Sequence, residues 1–159
     1  MSNGHSSILE SRRLFWPDEV ACAQSAAWLA SHPGIRFAFI ELHGTLGAGK
    51  TTFVRHLLQA LGVQGRIKSP TYTVMEPYEL PDLAAWHFDF YRFDDPQEWE
   101  DAGFRDVFAL PGLKLVEWPQ KAEGLLPMPD LRIDFELGAH EQRVVDIAAF
   151  TERGLGLLS

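Results

Sequence analysis

The sequence predicts a three-layer α/β domain on a mixed, mostly parallel sheet that ends in an antiparallel hairpin. Three observations predict it. A short apolar run at residues 36–42 (RFAFIEL) leads through a glycine-rich loop into an amphipathic helix at 50–61. Further short apolar runs recur downstream at 84–88 and 113–116. Last, residues 131–137 alternate strictly, with Leu131, Ile133, Phe135 and Leu137 on one face, and a turn at 138–141 leads to a second run at 144–149. Strands interleaved with helices early and a hairpin late are the pattern of an α/β sheet with antiparallel additions.

The elements follow in order. Residues 11–15 form a short first strand, and Pro17 opens a helix with Asp18 and Glu19 in its first turn, where acids complement the helix dipole. That Ala-rich helix runs to Ala30 and stops at Ser31-His32-Pro33-Gly34. Residues 36–42 make a buried strand. In the next helix Phe53, Leu57, Leu58 and Leu61 make the apolar face, and Gly62 ends it. Residues 62–70 are a loop, 71–78 a strand pushed to an edge by Pro77, and 94–102 a short helix with Pro96 near its start.

At 159 residues the chain suits one domain over 1–159, since about 100–200 residues per domain is usual. Residues 1–10 read as a loose tail without a signal-peptide pattern. A single cysteine, Cys22, excludes a disulfide framework and a multi-cysteine zinc site, and favours a reducing, cytoplasmic setting. No apolar stretch approaches the roughly 18 residues of a membrane span. The acid excess, 22 Asp+Glu against 14 Lys+Arg, argues against independent binding of nucleic acid.

Gly44-Thr45-Leu46-Gly47-Ala48-Gly49-Lys50-Thr51 matches G-x-x-x-x-G-K-[ST] in full, in the strand–loop–helix context its chemistry requires. Glycines let backbone N–H groups turn inward around phosphate oxygens, and the helix start adds partial positive charge. Lys50 reaches the β- and γ-phosphates and the Thr51 hydroxyl ligates Mg²⁺. The domain is therefore of P-loop NTPase type. Asn3 is the sole asparagine, so no Asn-Lys-x-Asp guanine motif exists and ATP is the default nucleotide.

Such a loop needs carboxylates at neighbouring strand ends. Asp89 and Glu117 compete. The shorter stem of Asp89 suits a tight magnesium shell, which leaves Glu117 for the hydrolytic water or the outer shell, with direct ligation by Glu117 also open. The 69–73 segment (SPTYT) lies where nucleotide-sensing switches sit in many phosphate-loop enzymes, and Arg92 either neutralises phosphate or pairs with Asp94 or Asp95. The other histidines and arginines form no metal spacing and no lid. Trp28 and Trp86 read as core, Trp99 as core or a partner contact, and Cys22 as a small buried hydrophobe.

GTLGAGKTT, SPTYT, HFDFYR and VEWP occur in order at suitable spacing, and together they closely resemble the bacterial ATPase family of tRNA threonylcarbamoyladenosine synthesis, TsaE, formerly YjeE. The resemblance runs from about Phe15 to Pro119. It implies a magnesium-dependent ATPase that docks on a TsaD–TsaB pair and sustains modification of adenosine 37. The charge balance adds the expectation of weak hydrolysis without partners and of tRNA met only through the complex, and a monomer is expected for the chain on its own, with self-association left open by the sequence. The resemblance places Lys50 and Glu117 in catalysis, and Thr51, Asp89 and Glu117 around Mg²⁺. Thr45, Leu46, Gly47, Ala48, Gly49, Thr52, Thr71 and Trp118 would lie beside the nucleotide. The alternatives are a small-molecule kinase, which lacks lid arginines here, and an ATP-dependent switch that does not need hydrolysis.

Overall fold

The computed structural model describes residues 7–67, 70 and 74–159. Seven strands form one sheet: β1 (Glu10–Trp16), β2 (Phe39–His43), β3 (Met75–Leu80), β4 (Leu83–Asp89), β5 (Leu113–Glu117), β6 (Leu131–Leu137) and β7 (Arg143–Ala149). Their spatial order is β1-β7-β6-β2-β5-β4-β3. The four central strands β6, β2, β5 and β4 are mutually parallel. Antiparallel ladders flank them, β3 on β4 at one side and β7 with β1 at the other. The parallel centre and the hairpin at 131–149 are as the sequence predicts.

Among the described residues five α-helices accompany the sheet: α1 (Glu19–Ala30), α2 (Lys50–Ala60), α3 (Pro96–Asp101), α4 (Phe104–Ala109) and α5 (Glu152–Leu157). Asp18 is the N-cap of α1, its carboxylate accepting the Ala21 N–H at 3.0 Å, so Pro17 lies just before the helix instead of opening it. Residues 33–37 form a 3₁₀ turn that takes Arg36 and Phe37 out of the strand expected at 36–42, and β2 starts at Phe39. The strand expected at 71–78 begins at Met75, with Pro77 on the outer strand of the sheet where its missing N–H costs no ladder bond. Neither α4 nor α5 was legible. Each is six residues long, too short for a helical period to register.

Period-2 alternation splits the core into two layers. Ile40, Leu42, Leu113, Leu115 and Ala85 face α1 and α2, meeting Leu29, Phe53 and Leu57. Phe39, Phe88 and Val116 face the other way, onto Phe90, Trp99 and Phe104. Trp99 is 1% exposed and closes this second layer, which removes it as a partner contact. Trp28 reverses the other way: it is 37% exposed on α1, lying edge-on against His32. Cys22 is buried as expected, and burial pushes its thiol up to about 12.

Asp130 ties β2 to the C-terminal segment. Its buried carboxylate accepts the Phe39 N–H at 2.8 Å and the Thr151 hydroxyl at 2.6 Å, with Arg153 at 3.6 Å. Truncating it leaves a buried amide without an acceptor, so Asp130→Ala is expected to cost roughly 2–3 kcal/mol. Urea unfolding should register this as a lower midpoint with an unchanged slope.

Candidate functional site

Parallel register builds the site. β2 pairs β5 with Leu42 opposite Glu117, and β5 pairs β4 with Glu117 opposite Asp89. The loop after β2 and both acids therefore meet at the carboxyl edge of the sheet, the edge at which open α/β sheets bind ligands. Alternation then aims the side chains. Ala85, His87 and Asp89 on β4 share a face with Leu115 and Glu117 on β5, the side on which α2 packs.

The loop's glycines meet real constraints at two positions. Gly44 has φ +152°, and a Cβ there would stand 2.8 Å from the Phe135 carbonyl oxygen of β6. Gly49 is the N-cap of α2 in the left-handed conformation at φ +104°, and no side chain caps the helix. The first N–H groups of α2 thus face open space at a positive helix end. Lys50 is buried; its ammonium donates to the Gly44 carbonyl and sits 3.9 Å above the Trp118 ring. Burial holds its pKa below the usual lysine value, partly offset by the field of Glu117 and Asp89.

The Thr51 hydroxyl bonds the Glu117 carboxylate, at 3.1 Å from Oε1 and 3.0 Å from Oε2. Glu117 is buried, and its Oε2 also lies 2.6 Å from His87 Nε2. Asp89 stands one strand farther from the loop, its Oδ1 accepting the Tyr91 N–H at 3.0 Å. Burial raises the Asp89 carboxyl above the ordinary range, against the pull of that N–H and with the push of Glu117. Gly49, Lys50, Thr51, Asp89 and Glu117 line a cavity of about 440 Å³ with Leu46, Gly47, Thr52, Tyr91, Arg92, Trp118 and Arg143, and His87 lies behind Glu117.

Two further walls are strained. Val74 and Trp118 both hold positive φ, +67° and +57°, which costs on the order of 1–3 kcal/mol for such side chains. The Trp118 turn swings its ring over Lys50 and against Tyr91. Val74 accepts the Asp89 N–H at 2.8 Å. Bulky residues in this conformation, both lining one cavity, are what a functional site retains and a plain turn avoids.

Of the residues predicted from sequence, Leu46, Gly47, Gly49, Lys50, Thr51, Thr52, Asp89, Glu117 and Trp118 line this cavity, and Thr45 and Ala48 belong to the same loop. Thr71 and the rest of 69–73 apart from Pro70, together with Lys68, lie outside the described residues. Arg92 lines the cavity, with no ion pair to Asp94 or Asp95 among the described residues. Sequence reasoning misses Val74, Tyr91 and Arg143, which line the cavity, and His87, which bonds Glu117 from behind. Arg143, on β7, donates to the Ala48 carbonyl at 2.7 Å and the Gly47 carbonyl at 3.3 Å. It also joins the main cavity to a second one, of about 210 Å³, that shares Gly49 and Thr52 and is walled by Trp16, Pro17 and Cys22. Nothing local in the sequence marks Arg143, because only the hairpin's pairing brings it to the loop.

Fold and site together define a P-loop nucleotide-binding domain. The family model described as "Threonylcarbamoyl adenosine biosynthesis protein TsaE" matches residues 16–145. The chain is 41% identical over 120 residues to the tRNA threonylcarbamoyladenosine biosynthesis protein TsaE of Haemophilus influenzae, covering 76% of this chain and 75% of that one. With the Bacillus subtilis protein of the same name it shares 36% over 114 residues, 72% of this chain and 71% of the other. A crystal structure of Bacillus subtilis YdiB superposes with a TM-score of 0.78 at 26% identity, over 96% of this chain and 95% of that one. The chain belongs to the TsaE family.

Two outcomes follow from the geometry. Arg143 holds two loop carbonyls outward, so Arg143→Ala should weaken ADP binding about tenfold, close to 1.4 kcal/mol, in titration calorimetry. The raised Asp89 carboxyl means that the folded chain keeps a proton the unfolded chain has released. Its contribution to stability therefore falls as pH rises from the ordinary carboxylate range through the raised value. Asp89→Asn should unfold at higher temperature than the parent at pH 7, with the difference closing toward pH 3.

Proposed function

We propose that this chain is a magnesium-dependent ATPase that supports threonylcarbamoyladenosine formation in tRNA, acting on a TsaB–TsaD complex in the cytoplasm. The observation that carries the ATPase reading is the Thr51–Glu117 hydrogen bond across an uncapped helix start with a buried lysine beside it. The donor set fits a hard cation next to a polyphosphate: the Thr51 hydroxyl, the Glu117 carboxylate, and room in the cavity. The pathway and the partners rest on membership of the TsaE family and on the names its relatives carry. Among the described residues no helix is long and apolar enough to cross a membrane.

In this reading the loop N–H groups and Lys50 bind the β- and γ-phosphates, and Thr51 with Glu117 holds Mg²⁺, which neutralises charge developing on the transferred group. This exchanges the roles first suggested by stem length. Thr51 must serve the metal, and Glu117, not Asp89, is the acid within reach of its hydroxyl. Asp89, one strand out and biased toward holding a proton, suits the attacking water as base. The nucleoside extends past Thr52 into the second cavity, between Trp16 and Arg143. Trp118 keeps water and stray anions from Lys50 by covering it. The cations at the site are the buried Lys50, the exposed Arg92, and Arg143, which is engaged by two loop carbonyls, so hydrolysis by the isolated chain is slow and a partner's cation raises it.

The test separates binding from chemistry. Asp89→Asn should bind Mg–ATP as tightly as the parent while hydrolysis falls roughly 100-fold, the range for loss of a general base. Glu117→Gln should lose the magnesium dependence of nucleotide binding. In a reconstituted tRNA modification followed over several turnovers, both variants should stall after the first round. Unimpaired turnover with Asp89→Asn would favour an ATP-dependent switch, and rapid phosphoryl transfer to a metabolite would favour a kinase.

A further inference from the structure

His87 is a buried titratable side chain in contact with the site that the mechanism above leaves unused. It is 1% exposed, in the middle of β4, where a strand facing a helix layer ordinarily carries an aliphatic residue. Across the parallel ladder it stands opposite Leu115, so Glu117 lies diagonally two residues on, within reach of a long side chain. The ring uses that reach, with Nε2 at 2.6 Å from Glu117 Oε2. Its other nitrogen, Nδ1, is buried with no hydrogen-bond partner among the described residues. A proton on Nδ1 would be an unpaired buried donor, whereas a bare lone pair there is the milder defect. The ring proton therefore belongs on Nε2, and Nε2 donates to Glu117.

The consequence lies in what Glu117 would otherwise do. It ends β5 with a flexible stem, and its field acts on Lys50, yet Lys50 and Glu117 form no ion pair among the described residues. Lys50 instead donates to a backbone carbonyl and stays on the phosphate side of the cavity. Among the described residues Thr51 on one side and His87 on the other are the Glu117 carboxylate's side-chain hydrogen-bond partners. The Thr51 hydroxyl has one proton to share between two oxygens and can rotate away. The histidine is fixed by the strand and by its packing.

We propose that His87 is a positioning residue. Its Nε2–H pins the Glu117 carboxylate against Thr51 and withholds it from Lys50, so the metal-holding pair and the phosphate-binding cation stay separate before nucleotide arrives. The proposal rests on the magnesium–ATP reading of this site and adds a residue that acts through Glu117 without touching substrate.

Three variants of the full chain test it. Gln places an amide N–H where Nε2 stood, Asn reaches only as far as Nδ1, and Leu fills the volume without a donor. Crystal structures of the nucleotide-free variants should keep Glu117 on Thr51 in His87→Gln and swing it toward Lys50 in His87→Asn and His87→Leu. In steady-state hydrolysis, His87→Asn and His87→Leu should lower kcat about 10- to 100-fold and raise the magnesium needed for half-maximal rate, with KM for ATP within about threefold, as for outer partners of metal ligands. His87→Gln should recover most of the rate. If Leu does not fold, the Gln–Asn contrast decides. Glu117 unmoved in His87→Asn, or Gln and Asn equally impaired, overturns the inference and leaves His87 as packing. A parent chain that binds no Mg–nucleotide overturns the ATPase reading instead, and the crystal structures still decide whether His87 holds Glu117.

Discussion

The constraint on which the rest depends is the parallel register of β2, β5 and β4. Pairing Leu42 with Glu117 and Glu117 with Asp89 brings the loop and both acids to one edge at one height. A slip of one residue on β5 would turn Glu117 to the aromatic layer and present Val116 to the loop, since side chains alternate with period 2. The register is therefore fixed by burial on both faces. Leu113 and Leu115 must meet the α1–α2 layer while Val116 meets Phe39 and Phe88. Core packing, with no direct part in chemistry, sets the distance from Thr51 to Glu117.

The site is costly to the apo fold in several small ways that share a cause. Burial disfavours both the charged lysine and the charged aspartate, so each pKa is displaced toward neutrality. Val74 and Trp118 hold backbone angles their side chains resist. Gly49 leaves a helix start uncapped. Under the proposed function a phosphate would satisfy the helix N–H groups and the ammonium, and a metal would restore the charge preference of the carboxylates. The cost is offset by the two hydrophobic layers, with Trp99 and Phe53 fully buried on opposite faces of the sheet.

What was legible in the sequence was whatever is written locally. The loop carries its mechanism in eight consecutive residues, and the 131–149 hairpin carries its pairing in strict alternation. Asp89 and Glu117 were legible as strand-end acids, but their order of distance from Thr51 was not, because it depends on β5 lying between β2 and β4. His87 carries no local signal beyond interrupting the apolar run at 84–88, and its meaning is a diagonal contact across a ladder. Trp28 departs from the core reading and Trp99 stays open between core and partner contact for one reason: aromatic content does not say which face of a short segment is covered, and α4, which helps bury Trp99, carries no period of its own in the sequence.

Arg143 extends this argument to the part of the chain that carries no motif. The hairpin of β6 and β7 projects its turn end over the loop, and from there one guanidinium reaches two consecutive loop carbonyls. A phosphate cradle works by pointing N–H groups inward, which requires the carbonyls of the same peptides to point outward and find donors. Water can provide those donors to a mobile loop. A planar fork with fixed geometry provides them to a rigid one and adds a positive charge at the mouth. The same hairpin passes close behind Gly44, where the Phe135 carbonyl leaves no space for a Cβ. The loop is thus clamped at its first glycine by β6 and near its last by β7. In a chain of net charge −8, this concentrates cationic groups at the one edge where a polyphosphate has to be held.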